Sequence, residues 1–491
     1  MALALFALAL GPALAAPASN PNVNPNINIT ALFGPSLSPS ARIYLPSDPE
    51  YATAITQRAS TYDEPSYIAA IKPATEEDVQ AIVRIATNRS LPFLATGGGH
   101  ASGPGYETVQ HAIDVDLGNF NTTRLDTETN TLTVGGSTQF GQIYDILYNA
   151  GKELQTGNAP CVNLVGATIA AGVGPLQGLH GLIIDALLSV RLVTASGELL
   201  TVSDESHPDL FWAIRGAGAN FGIITSATYR VHEATNEGRV LNADFVFPAE
   251  ANRSVYEVLA SWDDDETFPR EMALGVGASV RNGSATLSTS LVFFGPQSSA
   301  QPYIDTLLRL NPTRFQNLTV PWPRLASVTG FGRGDAACTR GGHSIPYSVG
   351  AAVTRPAAFS DALDRFVSFS AQNPWYAGSF VVQRSSSAAA TAVPEQRRGV
   401  YPWRDIKMQL LMTHIAPDAS YDEEIEEFAG PVRDRLWAES GFEQRRTYLG
   451  YGHGDEGARV WFGEENLRRL GRLKREWDSE RVFGAGNPVP V

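Results

Sequence analysis

A histidine closing a run of glycines is the first feature of this chain that could do chemistry. Thr96-Gly97-Gly98-Gly99-His100-Ala101-Ser102-Gly103-Pro104-Gly105 follows the short apolar run Leu91–Ala95. Bare glycine backbone lets successive N–H groups approach and cradle phosphate oxygens without a lysine. A single histidine at the end of such a loop is chemically notable in a chain with only eight, although a tight turn with a surface histidine has the same local pattern. A second small-residue stretch, Gly157–Gly174, holds too little side-chain volume to build a core alone. It suits close packing against a flat ligand, or equally a helix–strand junction.

Several other chemistries lack their first requirement. The dinucleotide fingerprint G-x-G-x-x-G fails after Gly172-Val-Gly174 and after Gly216-Ala-Gly218. Its one literal match, Gly452-His-Gly454-Asp-Glu-Gly457, would set Asp455 and Glu456 against a pyrophosphate. No Walker loop, H-E-x-x-H or G-x-S-x-G occurs. Two cysteines, Cys161 and Cys338, exclude a disulfide framework and any multi-cysteine metal centre; they could pair with each other or stay as buried thiols.

The elements that must position these residues are readable as a coarse pattern. Glu76–Asn88 carries Val79, Ile82, Val83 and Ile85 at helical spacing behind Thr75, a candidate N-cap. Ala112–Leu117 and Thr131–Val134 read as strands, Phe140–Asn149 as a helix, and Leu187–Thr194 with Leu199–Val202 as a hairpin about Ala195-Ser196-Gly197. Between Gly238 and Glu439 long strand-like runs (Val240–Phe247, Ala285–Phe294, Ser379–Gln383, Lys407–Thr413) alternate with helices Ala300–Leu310 and Ala357–Ala371, as in an α+β domain with a broad antiparallel sheet. Glu464–Trp477 reads as an amphipathic helix.

With 491 residues the chain allows two or three domains. Its 37 basic against 51 acidic residues give a net charge of −14, a poor match to nucleic acid or anionic lipid. Ala2–Ala15 is apolar and ends in Ala13-Leu14-Ala15, the pattern of a cleaved secretory signal, and is shorter than the about 20 residues of a membrane span. Pro17–Ser40 reads as an extended lead-in. Sequons at Asn28, Asn88, Asn121, Asn252, Asn282 and Asn317 agree with an extracellular glycoprotein.

Five segments together resemble the FAD-linked oxidases with a vanillyl-alcohol-oxidase/PCMH-type flavin domain, and within them the fungal berberine-bridge-enzyme-like branch. They are Ala95–His100, Ala112–Leu117, Val165–Asp185, Pro208–Thr225 and Glu465–Phe483. The resemblance implies a two-part α+β architecture. It divides into a signal peptide (1–16), a lead-in (17–60), an FAD domain (61–236), an inserted substrate domain (237–440) and a C-terminal return to the FAD domain (441–491). It implies FAD bonded covalently through His100, a pyrophosphate loop over Thr96, Gly97, Gly98, Gly99, His100, Ala101 and Gly105, and further cofactor contacts at Val162, Gly166, Thr168, Gly172, Gly222 and Ile224. The family's second, cysteinyl link falls on Ala159, so a bond from Cys161 is not implied.

Arg446-Thr-Tyr448-Leu-Gly450-Tyr451 resembles the family's Y-x-N-Y segment with glycine in place of asparagine. Tyr451 then stands where a base takes a substrate proton, with Tyr448 beside it and Asp455 and Glu456 as alternative bases. The implied activity is a secreted oxidase passing a hydride from a small alcohol, sugar or secondary metabolite to FAD, with O2 reduced to H2O2. The alternative is a non-redox cyclase or binding protein on the same scaffold.

Overall fold

The computed structural model describes residues 27–264, 267–334 and 338–491, so the signal-peptide expectation at Ala2–Ala15 lies outside the described residues. The helix Glu76–Asn88 forms as its sequence dictates. Thr75 Oγ1 accepts from Asp78 N at 3.2 Å while Asp78 Oδ2 accepts from Thr75 N at 3.0 Å, a reciprocal cap. Its buried face (Val79, Ile82, Val83, Ala86) packs on a four-stranded sheet ordered Arg42–Tyr44, Tyr67–Lys72, Ala112–Asp116, Phe93–Thr96. The last three strands are parallel, so Thr96 delivers the glycine loop at their carboxyl ends, where open parallel sheets bind ligands.

The lead-in departs from the extended reading. Ile29–Phe33 is helical, because Asn28 caps Ala31 N at 2.9 Å and Ile29 and Phe33, four apart, bury the same stripe.

A second sheet, antiparallel, runs Thr123–Asp126, Thr131–Gly135, Ile223–Arg230, Leu187–Val193, Leu199–Ser203 and includes the expected hairpin. Helices Phe140–Asn149 and Pro208–Ala217 supply its core with Phe140, Ile143, Phe211 and Ile214.

The third sheet is antiparallel and seven-stranded, in the order Arg314–Pro321, Arg239–Phe247, Ser284–Phe293, Met272–Arg281, Ala377–Ser385, Met408–Ala416, His343–Ala351. Its strands alternate. Phe245, Leu291, Leu274, Val382, Leu410 and Val349 face a core closed by helices Asn252–Ala260, Pro356–Gln372 and Asp422–Ala438. On the opposite face one register row reads Gln316, Asp244, Ser290, Gly275, Gln383, Gln409, Gly350 across all seven strands. Among the described residues no helix is long and apolar enough to cross a membrane.

Candidate active site

Asn163 is where the separated glycine segments meet. It caps the short helix Leu164–Ile169 by accepting from Gly166 N, and its Nδ2 donates to Gly136 O at 3.0 Å and to Thr138 O at 3.1 Å. A Cβ on Gly98 would stand 2.6 Å from Asn163 Cβ, and one on Gly97 3.2 Å from both Asn163 Oδ1 and Gly136 O. Gly136 in turn lies against Ile224 O, which a Cβ would reach at 2.3 Å. Thr96, Gly97, Gly98, Gly166 and Ile224 are therefore drawn together around one asparagine. The first two loop glycines are needed for loop-on-loop packing rather than for open space. Gly99, at φ 67°, requires the left-handed region and presses on Gln57 O.

The remaining expected positions divide. Thr168 turns inward, bonding Leu164 O at 2.7 Å and the Tyr229 hydroxyl at 2.9 Å, so its side chain is committed within the protein. Gly222 packs on Val193 O, away from Asn163. Gly105 abuts Gly486 of the C-terminal segment, Ala101 O accepts from Arg58, and Val162 is half-buried beside Phe140. Thr96 Oγ1 donates to Asp114 Oδ1 at 2.7 Å, and burial pushes that carboxyl up to about 7.

His100 is the titratable group at the end of this loop. Burial first, then the Arg340 guanidinium, push its imidazole down to about 4, while the Cys161 backbone bonds the ring. Its Nε2 is buried with no hydrogen-bond partner. The ring is therefore neutral at ordinary pH and keeps a nitrogen free for a group from outside the chain. Gln155, buried just before the second glycine stretch, also has both amide atoms unpartnered. Orphaned polar atoms at a loop of this kind fit an absent FAD. Cys161 is not free for a second bond, since it forms a disulfide with Cys338 across 177 residues.

The tyrosine pair differs from two residues on a strand. Leu449–Tyr451 is a short 3-10 turn, and the Tyr448 and Tyr451 rings meet edge to face at 4.9 Å. Gly450 permits this, because a Cβ there would strike the Tyr448 ring at 2.7 Å. Tyr448 donates to Ala167 O at 3.4 Å and burial raises its phenol. Tyr451 donates to Gln383 Oε1 at 3.3 Å, which ties it to the polar row of the large sheet, and burial pushes it up to about 12.

The alternative carboxylates are committed elsewhere. Asp455 pairs in bidentate fashion with Arg433, and Glu456 accepts from His453 N, Gly454 N and Trp461 Nε1. Among the described residues no group of three or more His, Cys, Asp and Glu could hold a metal ion.

Asn163, Arg340, Gln383 and Gln409 escaped the sequence reading. Only Asn163 carried a local signal, an Asx cap three residues before Gly166.

Comparison with known proteins agrees with this construction. An FAD-binding-domain family model matches residues 67–203, and a "Berberine and berberine like" model matches residues 447–490. FAD-linked oxidoreductase tazL of Aspergillus terreus is 48% identical, aligned over 99% of this chain and 98% of its own. Among solved structures, Physcomitrella patens BBE-like 1 matches at TM-score 0.78 with 22% identity over 94% of this chain and 98% of its own. Glucooligosaccharide oxidase from Acremonium strictum, described as carrying a 6-S-cysteinyl, 8α-N1-histidyl FAD, matches at TM-score 0.78 with 19% identity over 94% and 98%. Two glycine loops locked by one asparagine, closed by a C-terminal tyrosine turn, thus belong to a member of the fungal FAD-linked oxidoreductases of the berberine-like family.

Proposed function

We propose that this protein is a secreted FAD-dependent oxidase that holds its flavin through a single covalent bond to His100 and oxidises a small molecule carrying an alcohol, sugar or related C–H donor. The observation carrying this reading is the neutral His100 ring, whose Nε2 is buried without a partner at the end of the glycine loop. FAD, when bound, supplies a two-electron acceptor for hydride and passes those electrons to O2, giving H2O2. The chain's part is to hold and orient. Thr96–Ala101 and the backbone about Asn163 would hold the pyrophosphate, and His100 would fix the ring end. The glucooligosaccharide oxidase, with its two named links, supports the histidyl bond, while the Cys161–Cys338 disulfide argues against a cysteinyl one.

Tyr451 and Gln383 form the polar end of the substrate site. The Tyr451 phenol, protonated at neutral pH, positions a substrate O–H or N–H and accepts its proton only in the small ionised fraction. Tyr448, bonded to Ala167 O, braces that ring edge to face. The disulfide, and sequons such as Asn88, Asn121 and Asn282 at exposed positions, support the secretory reading.

The test is acid precipitation of the purified protein. The pellet should stay yellow and yield one flavin-bearing peptide that contains His100. A colourless pellet, or flavin on a peptide containing Cys161, refutes the single histidyl link, and release of no peroxide across a panel of sugars, alcohols and aromatic amines refutes the oxidase.

A further inference from the structure

The segment around Arg340 is fastened to the glycine loop from two sides. On one side the Cys161–Cys338 disulfide ties it to the loop that bonds His100. On the other, Gly341 N donates to Arg58 O at 3.1 Å, Thr61 N donates to Gly342 O at 3.1 Å, and Ala59 N donates to Gly99 O at 2.8 Å. Residues 340–342 thus lie on residues 57–61, which lie on the glycine loop. Between the two fastenings the Arg340 guanidinium is fixed, with Nη1 donating to Gly98 O at 2.7 Å and to Gln57 O at 3.0 Å. No other described guanidinium bonds Gly98, and its charge acts directly on His100.

We propose that Arg340, held by the Cys161–Cys338 disulfide and bonded to Gly98 O, is a positioning residue for flavin attachment: it fixes a cation against the glycine loop two residues before His100. This rests on the histidyl linkage proposed above. Attachment forms a bond from an imidazole nitrogen to the 8α-carbon of the flavin and breaks one methyl C–H and the imidazole N–H. The two electrons released reduce the ring system, which takes up the two protons. Dioxygen then reoxidises it and leaves as hydrogen peroxide. An imidazolium has no lone pair to start this sequence, so a cation fixed beside His100 favours it by disfavouring the protonated ring.

The groups facing His100 are few. Its own loop, Thr96–Gly105, contains no other titratable side chain, and Ala159–Asn163 none besides the oxidised Cys161. The segment 57–61 brings Arg58, bonded to Ala101 O, and residues 338–342 bring Arg340. At Gly103 the loop also meets the segment 453–456, whose Asp455 is paired with Arg433 and whose Glu456 accepts from His453 N, Gly454 N and Trp461 Nε1. Arg340 is the charge that acts on the ring, so its loss shifts the attachment profile toward higher pH.

The test uses the full chain produced under flavin depletion, mixed with FAD in air at pH 4.5 to 8. Total bound flavin and flavin surviving acid precipitation are followed separately. A full return of the imidazole to its ordinary value of about 6.5 would leave about 3% neutral ring at pH 5, a roughly 30-fold slower attachment, against about 90% neutral for a ring at about 4. Burial persists in Arg340→Met, so the expected slowing is about three- to tenfold at pH 5, vanishing by pH 8. Arg340→Lys keeps the charge and should keep the wild-type profile. The double variant Cys161→Ser/Cys338→Ser, which frees the segment, should follow Arg340→Met.

An Arg340→Met profile that superimposes on wild type, or slows equally at every pH, overturns the role of Arg340 alone. So does an Arg340→Lys profile shifted like that of Arg340→Met. Wild-type protein that binds FAD but never retains it through acid removes the histidyl linkage, and the role of Arg340 falls with it.

Discussion

Asn163→Ala should loosen the flavin domain more than any other single change in the glycine loops, and the size of the effect follows from its bonds. Three are lost: to Gly166 N, Gly136 O and Thr138 O. Thr138 O keeps a second donor, Leu164 N at 2.9 Å, so little is stranded there. Gly166 is exposed and water can replace the cap, leaving a loss of about 1 kcal/mol. Gly136 O, next to Ile224, has no such substitute, and an unpaired buried carbonyl costs about 1–3 kcal/mol. The sum is about 2–4 kcal/mol, or a fall in melting temperature of about 4–16 °C for a unit of this size. Asn163→Asp separates packing from bonding. It keeps the cap but turns an acceptor on two carbonyls, so its buried carboxyl is pushed above the ordinary range. A carboxyl with a raised folded pKa destabilises as pH rises, so Asn163→Asp should melt closer to wild type at pH 4.5 than at pH 8. Scanning calorimetry and FAD content by absorbance read both effects. Wild-type melting and flavin content in Asn163→Ala would refute the claim that this residue locks the two loops.

Three further outcomes are expected. Tyr451→Phe should leave flavin content normal and slow flavin reduction by about 10²–10⁴, and in wild type that rate should climb with pH without levelling below pH 10, because the phenol sits at about 12; rapid anaerobic mixing with a substrate identified in the peroxide panel checks both. Asp114, raised to about 7 by burial, binds a proton in the folded chain between about pH 4 and 7 that the unfolded chain has released, so its contribution falls as pH rises through that window; Asp114→Asn should melt above wild type at pH 8 and level with it at pH 4. Gly450→Asn should drive a side chain into the Tyr448 ring and lower the melting temperature by an amount equivalent to about 1–3 kcal/mol, read by calorimetry.

Sequence made local matters visible. Thr75 marked the start of Glu76–Asn88, and Ala195-Ser196-Gly197 marked the hairpin, because those signals lie within a few residues. The FAD-binding class was legible through the resemblance carried by five segments, Ala95–His100 among them. What escaped depended on distance. Asn163 makes its bonds to Gly136 and Thr138, 27 and 25 residues earlier, and Arg340 reaches Gln57 across 283. Three strands of the large sheet, Met272–Arg281, Arg314–Pro321 and His343–Ala351, were hidden because glycine, polar and proline residues blur their alternation. The turn Leu449–Tyr451 left no periodic signal in the sequence; Gly450 lets the Tyr448 ring lie against it, since a Cβ there would strike that ring.

The large sheet has a consequence for how such proteins diversify. Every strand except the edge strand Arg314–Pro321 sends alternate residues to a sealed apolar core and to the row that reaches Tyr451 through Gln383. Exchanging Ser290, Gly275 or Gln383 alters the shape and hydrogen-bonding character of that row without removing an atom from the core behind it. Under the substrate site proposed above, fold stability and chemical taste are thus written on opposite sides of the same strands. New substrates can be explored one side chain at a time while the scaffold stays intact.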